Sequence, residues 1–186
     1  MNVYDWDGTI YKGDSTVDFV FYLYTHYPKT LCNLPRTLFY GLGYALKLTP
    51  KLKFKENLYH MFTYVKDIDK VTDEFTSSHL DHVKKWYLDT QKEDDVVISA
   101  SPEFLISSFC KKVNIRTAMA SRVEKTTGKY NGLNCHGEEK VKRFYERFPS
   151  GVIDEFYSDS LSDTPLAKIS HKAYIVKNND RTEWPL

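Results

Sequence analysis

The chain has 186 residues, of which 41% are hydrophobic and 27% charged, a composition that suits one globular domain, or one domain with an insert, and excludes a disordered segment. Its formal net charge of +1 gives no chain-wide field that would favour a nucleic-acid partner. Cys32, Cys110 and Cys135 lack CxxC spacing, which disfavours a disulfide framework or a zinc site and favours a reducing cytoplasm. We predict no signal peptide, and the most apolar stretch, 38–46, is too short to span a membrane.

The first predicted element is a short strand over residues 2–5, which is followed by Asp7, Gly8 and Thr9. Asp5 would then lie at the carboxyl end of the strand, where open α/β sheets bind their ligands. Two carboxylates this close repel each other unless a cation or hydrogen-bond donors offset their charge. An Asp-Gly turn without any function would account for the same residues.

Residues 14–90 carry helical patterns and no convincing strand. The predicted helices are one capped by Asp14 or Ser15 and ending before Pro28, one from Pro35 to about Leu48, one after Pro50, and one over about 69–89. An all-helical block that directly follows a first strand indicates an insert.

The alternation of strands and helices resumes after residue 93. The predicted elements are a strand over 94–99, a helix with Ser101 as N-cap and Pro102 at its first position, a strand over 115–121, a hairpin over 126–132, a helix from Glu138, a strand over 155–158, a helix from Asp163 to Ser170, and a strand over 173–176. This order predicts an α/β fold with a Rossmann-like, doubly wound parallel sheet. Residues 1–13 and 91–186 would form the core, and residues 14–90 an inserted all-helical cap.

Several polar residues follow strands or open helices in this arrangement, where backbone N–H groups and loops meet ligands. They are Asp5, Asp7, Ser99, Lys140, Asp159 and Asp163. Carboxylates suit Mg²⁺, which takes hard oxygen ligands, and a hydroxyl and an ammonium suit a phosphoryl group. The set therefore indicates a magnesium and phosphate site.

Each of these residues also has a structural explanation. Ser99 could simply end a strand, and Lys140 could pair on the surface with the two glutamates before it. Asp163 could serve as a helix N-cap alone. Asp159 caps nothing obvious, so the functional interpretation is most needed there.

The pentapeptide Asp5-Trp6-Asp7-Gly8-Thr9 resembles the first motif of the haloacid dehalogenase (HAD) superfamily, with Trp6 where phenylalanine is more usual. Three segments resemble the remaining motifs in that family's order: 96–99, Lys140 and 158–163. Residues 135–140 and 158–166, together with a helical insert in the position of a C1 cap, resemble the phosphoserine phosphatase-like branch, subfamily IB.

The resemblance implies that the chain is an enzyme, a Mg²⁺-dependent phosphoric monoester hydrolase. Asp5 would be the nucleophile and would form an aspartyl-phosphate. Asp7 would act as general acid toward the leaving group and then as general base for water.

The resemblance also implies the groups that bind metal and phosphate. The carboxylates of Asp5 and Asp159 and the backbone carbonyl of Asp7 would bind Mg²⁺, and Asp163 would hold the metal's waters or the lysine. Ser99 and Lys140 would bind phosphoryl oxygens, and Lys140 would also keep Asp5 ionised.

The predicted cap is locally basic, with seven Lys or Arg and one acid between residues 19 and 66, and it is rich in Tyr and Phe. Aromatic cores and solvated lysines explain most of this pattern. The same residues could present cations and rings to a small phosphorylated metabolite, or make weak peripheral contact with anionic membranes.

Two other functions remain open beside a phosphatase. The first is a phosphotransferase or phosphomutase on the same core, and the second is a non-catalytic protein that binds a phosphorylated ligand. Dehalogenation is disfavoured, because Asp7 supplies the acid that ester cleavage requires.

Overall fold

The computed structural model describes residues 1–185, and its centre is a single six-stranded sheet. The strands are β1 (Asn2–Tyr4), β2 (Val96–Pro102), β3 (Thr117–Ser121), β4 (Ile153–Ser158), β5 (Ser170–Lys177) and β6 (Asp180–Glu183). They lie in the order β3-β2-β1-β4-β5-β6, and β1 to β5 are parallel. The predicted α/β, doubly wound sheet is confirmed, and its strand order reverses at β1.

The sixth strand corrects the expectation of a purely parallel sheet. β6 pairs antiparallel with β5 through the register Lys177↔Asp180, which leaves Asn178 and Asn179 as a two-residue turn. Asn178 has φ +56°, a conformation that asparagine adopts more readily than most residues.

Eight α-helices accompany the sheet in the described part of the chain. They are α1 (Ser15–His26), α2 (Leu34–Ala45), α3 (Lys51–Tyr59), α4 (Ile68–Ser78), α5 (Lys85–Thr90), α6 (Glu103–Lys112), α7 (Glu138–Arg147) and α8 (Thr164–Lys168). Residues 14–90, all of them described, contain α1 to α5 and no strand, as predicted.

The single helix predicted over 69–89 is wrong. A 3₁₀ turn, Leu80–His82, separates α4 from α5, and Val83 forms an isolated antiparallel bridge with Tyr11. Lys84 N–H donates to the carbonyl of Ile10 at 2.8 Å. The helix is interrupted here because the backbone of Val83 and Lys84 pairs with the segment that follows β1.

Buried side chains cover both faces of the sheet, as a parallel sheet requires. Val3 belongs to one cluster with Phe144 and Phe156, whereas Tyr4 belongs to another cluster on the opposite face. That second cluster also holds Phe19 and Phe75 of the predicted cap. The division into a core of 1–13 and 91–186 and a cap of 14–90 stays a prediction, since both parts share this cluster.

No helix within residues 1–185 combines the length and the apolar character that crossing a membrane would require.

Candidate active site

The carboxyl ends of β1, β2 and β4 meet at the point where the strand order reverses, the place where open α/β sheets bind ligands. Asp5 directly follows β1, and its backbone N–H donates to the carbonyl of Tyr157 in β4 at 2.8 Å. Asp159 directly follows β4. The sheet thus brings together aspartates that lie far apart in the sequence.

Asp5 lies at the bottom of the site, 7% exposed, with Oδ1 2.6 Å from Nζ of Lys140. Burial raises the pKa of Asp5 to about 7, although Lys140 lowers it, and the neighbouring Asp163 and Asp7 raise it further. Lys140 thus opposes the effect of burial on Asp5, and its role in keeping Asp5 ionised stays a prediction.

Lys140 is 2% exposed and lies between two carboxylates, because its Nζ also donates to Oδ2 of Asp163 at 2.7 Å. Burial lowers the pKa of Lys140, but Asp5 and Asp163 outweigh burial and hold this pKa above its usual value. The alternative explanation of Lys140, a surface pair with the neighbouring glutamates, does not apply. Glu139 instead pairs with Arg143 at 2.9 Å.

The sequence predicts that Asp163 caps the helix that follows it. Asp163 does occupy the N-cap position of α8, but its side chain makes no capping hydrogen bond within residues 1–185. Its Oδ2 instead accepts hydrogen bonds from Lys140 and, at 2.8 Å, from Ser158 Oγ. A buried ammonium is a stronger donor than a backbone N–H, which explains the difference. The predicted helix to Ser170 is also too long, since α8 ends at Lys168.

Asp7 points toward the start of α1. Its Oδ1 accepts from the backbone N–H and the hydroxyl of Ser15 at 2.7 and 2.6 Å, and its Oδ2 accepts from Ser101 Oγ at 2.5 Å. Burial and the nearby Asp14 raise the pKa of Asp7 to about 6, against the lowering effect of both serines. A carboxyl that titrates near neutrality can both give and take a proton.

Ser101 was expected to cap a helix, which is wrong. β2 extends to Pro102, and α6 begins at Glu103 without a side-chain cap from the described residues. The hydroxyl of Ser101 is committed to Asp7, because a charged acceptor binds it more strongly than a neutral one.

Asp159 lies against Gly8, so closely that a Cβ at Gly8 would collide with the Asp159 carboxylate. Gly8 has φ +73°, which favours glycine, and the Asp159 N–H donates to Thr9 Oγ1 at 2.9 Å. Burial and Asp163 raise the pKa of Asp159. The Gly-Thr turn of the first motif is therefore shaped to receive Asp159.

Ser99 is fully buried, and its Oγ accepts from the backbone N–H of Ser101 at 3.1 Å. The cavity above Asp5 is lined by Ala100 and Ser101, the two residues after Ser99. The role of Ser99 in binding phosphate stays a prediction, and Ser101, for which the sequence predicted only a capping role, joins the site.

The cavity has a volume of about 610 Å³ and joins Asp5, Asp7, Lys140, Asp159 and Asp163 to residues of the predicted cap. Lys51 and Lys55 line it from α3, and Lys55 Nζ donates to the carbonyl of Ala100 at 3.1 Å. Burial, with Lys51 as the next cause, lowers the pKa of Lys55 to about 8. The basic segment predicted to form a cap thus contributes these two lysines, one helical turn apart, to the site.

The family model for haloacid dehalogenase-like hydrolases matches residues 3–168, a span that contains all six predicted site residues. The chain belongs to the HAD-like hydrolase family. Its subfamily and its cap type stay predictions.

Two curated proteins from strains of Mycobacterium tuberculosis, one of them named "Probable phosphatase", are each 36% identical to this HAD-like hydrolase over 95 residues. The match covers 47% of this chain, and it spans about a third (33%) of the length of each curated relative.

Solved structures share the fold. A Bordetella pertussis Tohama I protein of unknown function has a TM-score of 0.76 at 15% identity, over 93% of this chain and 87% of that one. A Vibrio cholerae protein described as a probable phosphoserine phosphatase has a TM-score of 0.64 at 7% identity, over 92% of this chain and 55% of that one. Identities this low establish the fold of this HAD-like hydrolase and nothing further.

The donor set of this HAD-like hydrolase fits a hard divalent cation. Four carboxylates and one deeply buried ammonium line the same cavity, and Asp163 Oδ1 is buried with no hydrogen-bond partner among residues 1–185. Over the same range, no group of three or more His, Cys, Asp or Glu side chains is arranged so that it could hold a metal ion by itself. The fit is therefore to an ion that takes few protein ligands and completes its shell with water and substrate, as Mg²⁺ does.

Proposed function

We propose that this HAD-like hydrolase is a Mg²⁺-dependent phosphatase that cleaves a small phosphomonoester through an aspartyl-phosphate on Asp5. The observation that carries the proposal is the pair of Asp5 and Asp7 in one cavity. Asp5 contacts the buried ammonium of Lys140 at 2.6 Å, whereas the Asp7 carboxyl accepts hydrogen bonds from the neutral hydroxyls of Ser15 and Ser101. A cation favours the ionised form that a nucleophile requires, and a carboxyl held by neutral donors is free to carry a proton, so the two carboxyls suit two different roles.

In the first step, a carboxylate oxygen of Asp5 forms a bond to phosphorus while the bond from phosphorus to the ester oxygen breaks. Protonated Asp7 gives its proton to that departing oxygen. In the second step, Asp7 takes a proton from water, the water oxygen bonds to phosphorus, and the bond between phosphorus and Asp5 breaks. Inorganic phosphate leaves, and both carboxyls return to their starting states.

The other site residues neutralise and orient charge. Lys140 binds a phosphoryl oxygen, and Ser101 with Ser15 fixes the direction of the Asp7 carboxyl. We propose the same phosphate-binding role for Ser99.

Mg²⁺ would be held by the carboxylates of Asp5 and Asp159 and by the backbone carbonyl of Asp7, with Asp163 holding its waters. When bound, the ion offsets the negative charge that accumulates on the phosphoryl oxygens.

The cap supports a substrate that carries negative charge. Lys51 and Lys55 line the same cavity as Asp5, and Phe54 and Leu58 add apolar surface to it. A small phosphorylated metabolite satisfies both. We propose a cytoplasmic location as well, on the basis of three free cysteines in the described chain.

The test is phosphate release from p-nitrophenyl phosphate, followed by a panel of phosphorylated metabolites. We expect activity with Mg²⁺, none with EDTA, and none in Asp5→Asn. Asp89→Asn is the matched control, because Asp89 is an exposed residue on α5 that should tolerate the same change.

Full activity in Asp5→Asn would contradict the mechanism, as would activity indifferent to EDTA. An added alcohol distinguishes hydrolysis from phosphotransfer. Transfer of the phosphoryl group to the alcohol in preference to water would identify a phosphotransferase on the same core.

A further inference from the structure

Helix α2 buries none of its residues in the described chain, although most of them are apolar. Leu34, Leu38, Leu42 and Leu46 recur every four residues and so form one stripe, with Phe39 beside them. The exposed fractions of Leu38, Phe39 and Leu42 are 64%, 73% and 63%. A contiguous apolar surface of this kind is typical of an interaction site.

The opposite side of α2 holds the helix in place. The rings of Tyr44 and Phe54 stack with their centroids 5.4 Å apart, and a Cβ at Gly41 would lie 3.4 Å from the Phe54 ring. Lys53 lies over the ring of Tyr40 at 5.8 Å. The helix is therefore anchored on α3, and its leucine stripe faces away from that anchor.

Helix α1 also exposes apolar side chains, and a hydrogen bond connects it to α2. Val17 and Phe21 are 60% and 69% exposed and lie one turn apart, and Tyr24, on the same side of α1, donates to Thr37 Oγ1 of α2 at 3.4 Å. Val17 also lines the catalytic cavity. We call Val17, Phe21, Leu38, Phe39, Leu42, Leu46 and Leu48 the apolar cap face.

Exposed cations flank this face along the chain. Lys29 and Arg36 lie between its α1 and α2 parts, and Lys47 lies between Leu46 and Leu48. Between residues 19 and 66 a single acid, Glu56, opposes them, and its Oε1 accepts from the backbone N–H of Tyr130. An apolar surface with a basic border matches an anionic lipid bilayer, with acyl chains against the leucines and lipid phosphates against the lysines.

We propose that the apolar cap face docks this protein on the surface of anionic membranes. A second copy of the chain fits less well, because a two-fold contact through this face would bring the two basic borders together. The proposal concerns binding alone and does not depend on the reaction in the cavity.

The test is co-sedimentation of the protein with vesicles in EDTA, so that turnover plays no part. We expect binding to vesicles of phosphatidylcholine mixed with phosphatidylglycerol, weaker binding to phosphatidylcholine alone, and loss of binding at high salt. Leu42→Glu should weaken binding about tenfold or more, since burying one leucine is worth a factor of this size. Lys47→Glu should weaken binding to the anionic vesicles specifically.

Val152→Glu is the matched control, because Val152 is a 52% exposed valine outside the cap. It should bind vesicles like the parent protein. The proposal is overturned if the parent protein binds neither vesicle, or if Leu42→Glu and Val152→Glu bind equally. A dimer in solution that Leu42→Glu dissociates would also overturn it and identify a second copy as the occupant. Phosphatase activity is measured separately, so its absence would leave these outcomes unchanged.

Discussion

Replacing Lys140 by methionine removes the ammonium that lies between Asp5 and Asp163. Both ion pairs are short, 2.6 and 2.7 Å, and the lysine is 2% exposed. Breaking a buried pair from one side costs about 3–5 kcal/mol, because the remaining charge stays buried without a partner. We expect a loss of this size in the free energy of unfolding at about pH 8.

The loss should shrink in acid. The pKa of Asp5 in the folded protein is about 7, above its usual 3.8, so the folded state holds the proton more tightly and its stability falls as the pH rises between these values. Without Lys140, which lowers this pKa, the window extends to higher pH. At about pH 5 the Asp5 carboxyl is protonated, so that only the pair between Lys140 and Asp163 is broken, and the cost should be smaller than at pH 8.

The assay is urea unfolding in EDTA, followed by tryptophan fluorescence at both pH values. Lys142→Met is the control on the same helix, since Lys142 is 64% exposed and 3.8 Å from Glu146. That change should cost less than about 1 kcal/mol at either pH. An equal loss for Lys140→Met at the two pH values, or a loss no larger than the control's, would refute the reasoning.

Three further variants test single contacts. Lys55→Met should raise the free energy of unfolding near neutral pH by at most about 3 kcal/mol and lower kcat/KM. Burial lowers the Lys55 pKa from 10.5 to about 8, so the charge of this lysine destabilises the folded protein, and the parent protein regains that stability only as the pH rises between those values. Thermal unfolding of the parent and the variant across this pH range measures the difference. Gly8→Ala should lower the free energy of unfolding in urea by about 1–2 kcal/mol and abolish turnover, because φ of Gly8 is +73° and the new methyl group would displace Asp159. A fully active variant would contradict this. Ser101→Ala should move the limb of the kcat/KM profile that reports Asp7 to higher pH, because the Ser101 hydroxyl lowers the pKa of Asp7, and an unmoved limb would argue against this contact.

The order of elements in the fold could be predicted because local signals agree with it. β-branched runs and helical periodicity lie in separate segments, and their alternation implies a parallel sheet. The break between α4 and α5 could not be predicted, because its cause is the pairing of Val83 with Tyr11 across the chain. β6 could not be predicted either, because its residues are exposed and polar, so that no alternation of apolar and polar residues identifies the strand.

The site was predictable where its residues form motifs and less so where a local role competes. Ser101 and Asp163 each fit the sequence pattern of a helix cap, yet both side chains turn to partners far along the chain, Asp7 and Lys140. Whether each side chain makes the local capping hydrogen bond or the long-range one depends on the tertiary structure. Lys55 carried no signal beyond a basic segment, because its place in the cavity depends on how α3 packs.

The position of β1 has a consequence for how the protein folds. Its Val3 pairs with Val96 on one side and with Phe156 on the other, so this three-residue strand gains its neighbours only when segments roughly 90 and 150 residues later are in place. Contacts of such long range close slowly and late. We therefore expect the strand that leads to Asp5 to assemble late in folding, and a partly folded chain to hold Asp5 without Lys140 beside it. Recovery of activity after dilution from urea should accordingly lag behind recovery of helix content.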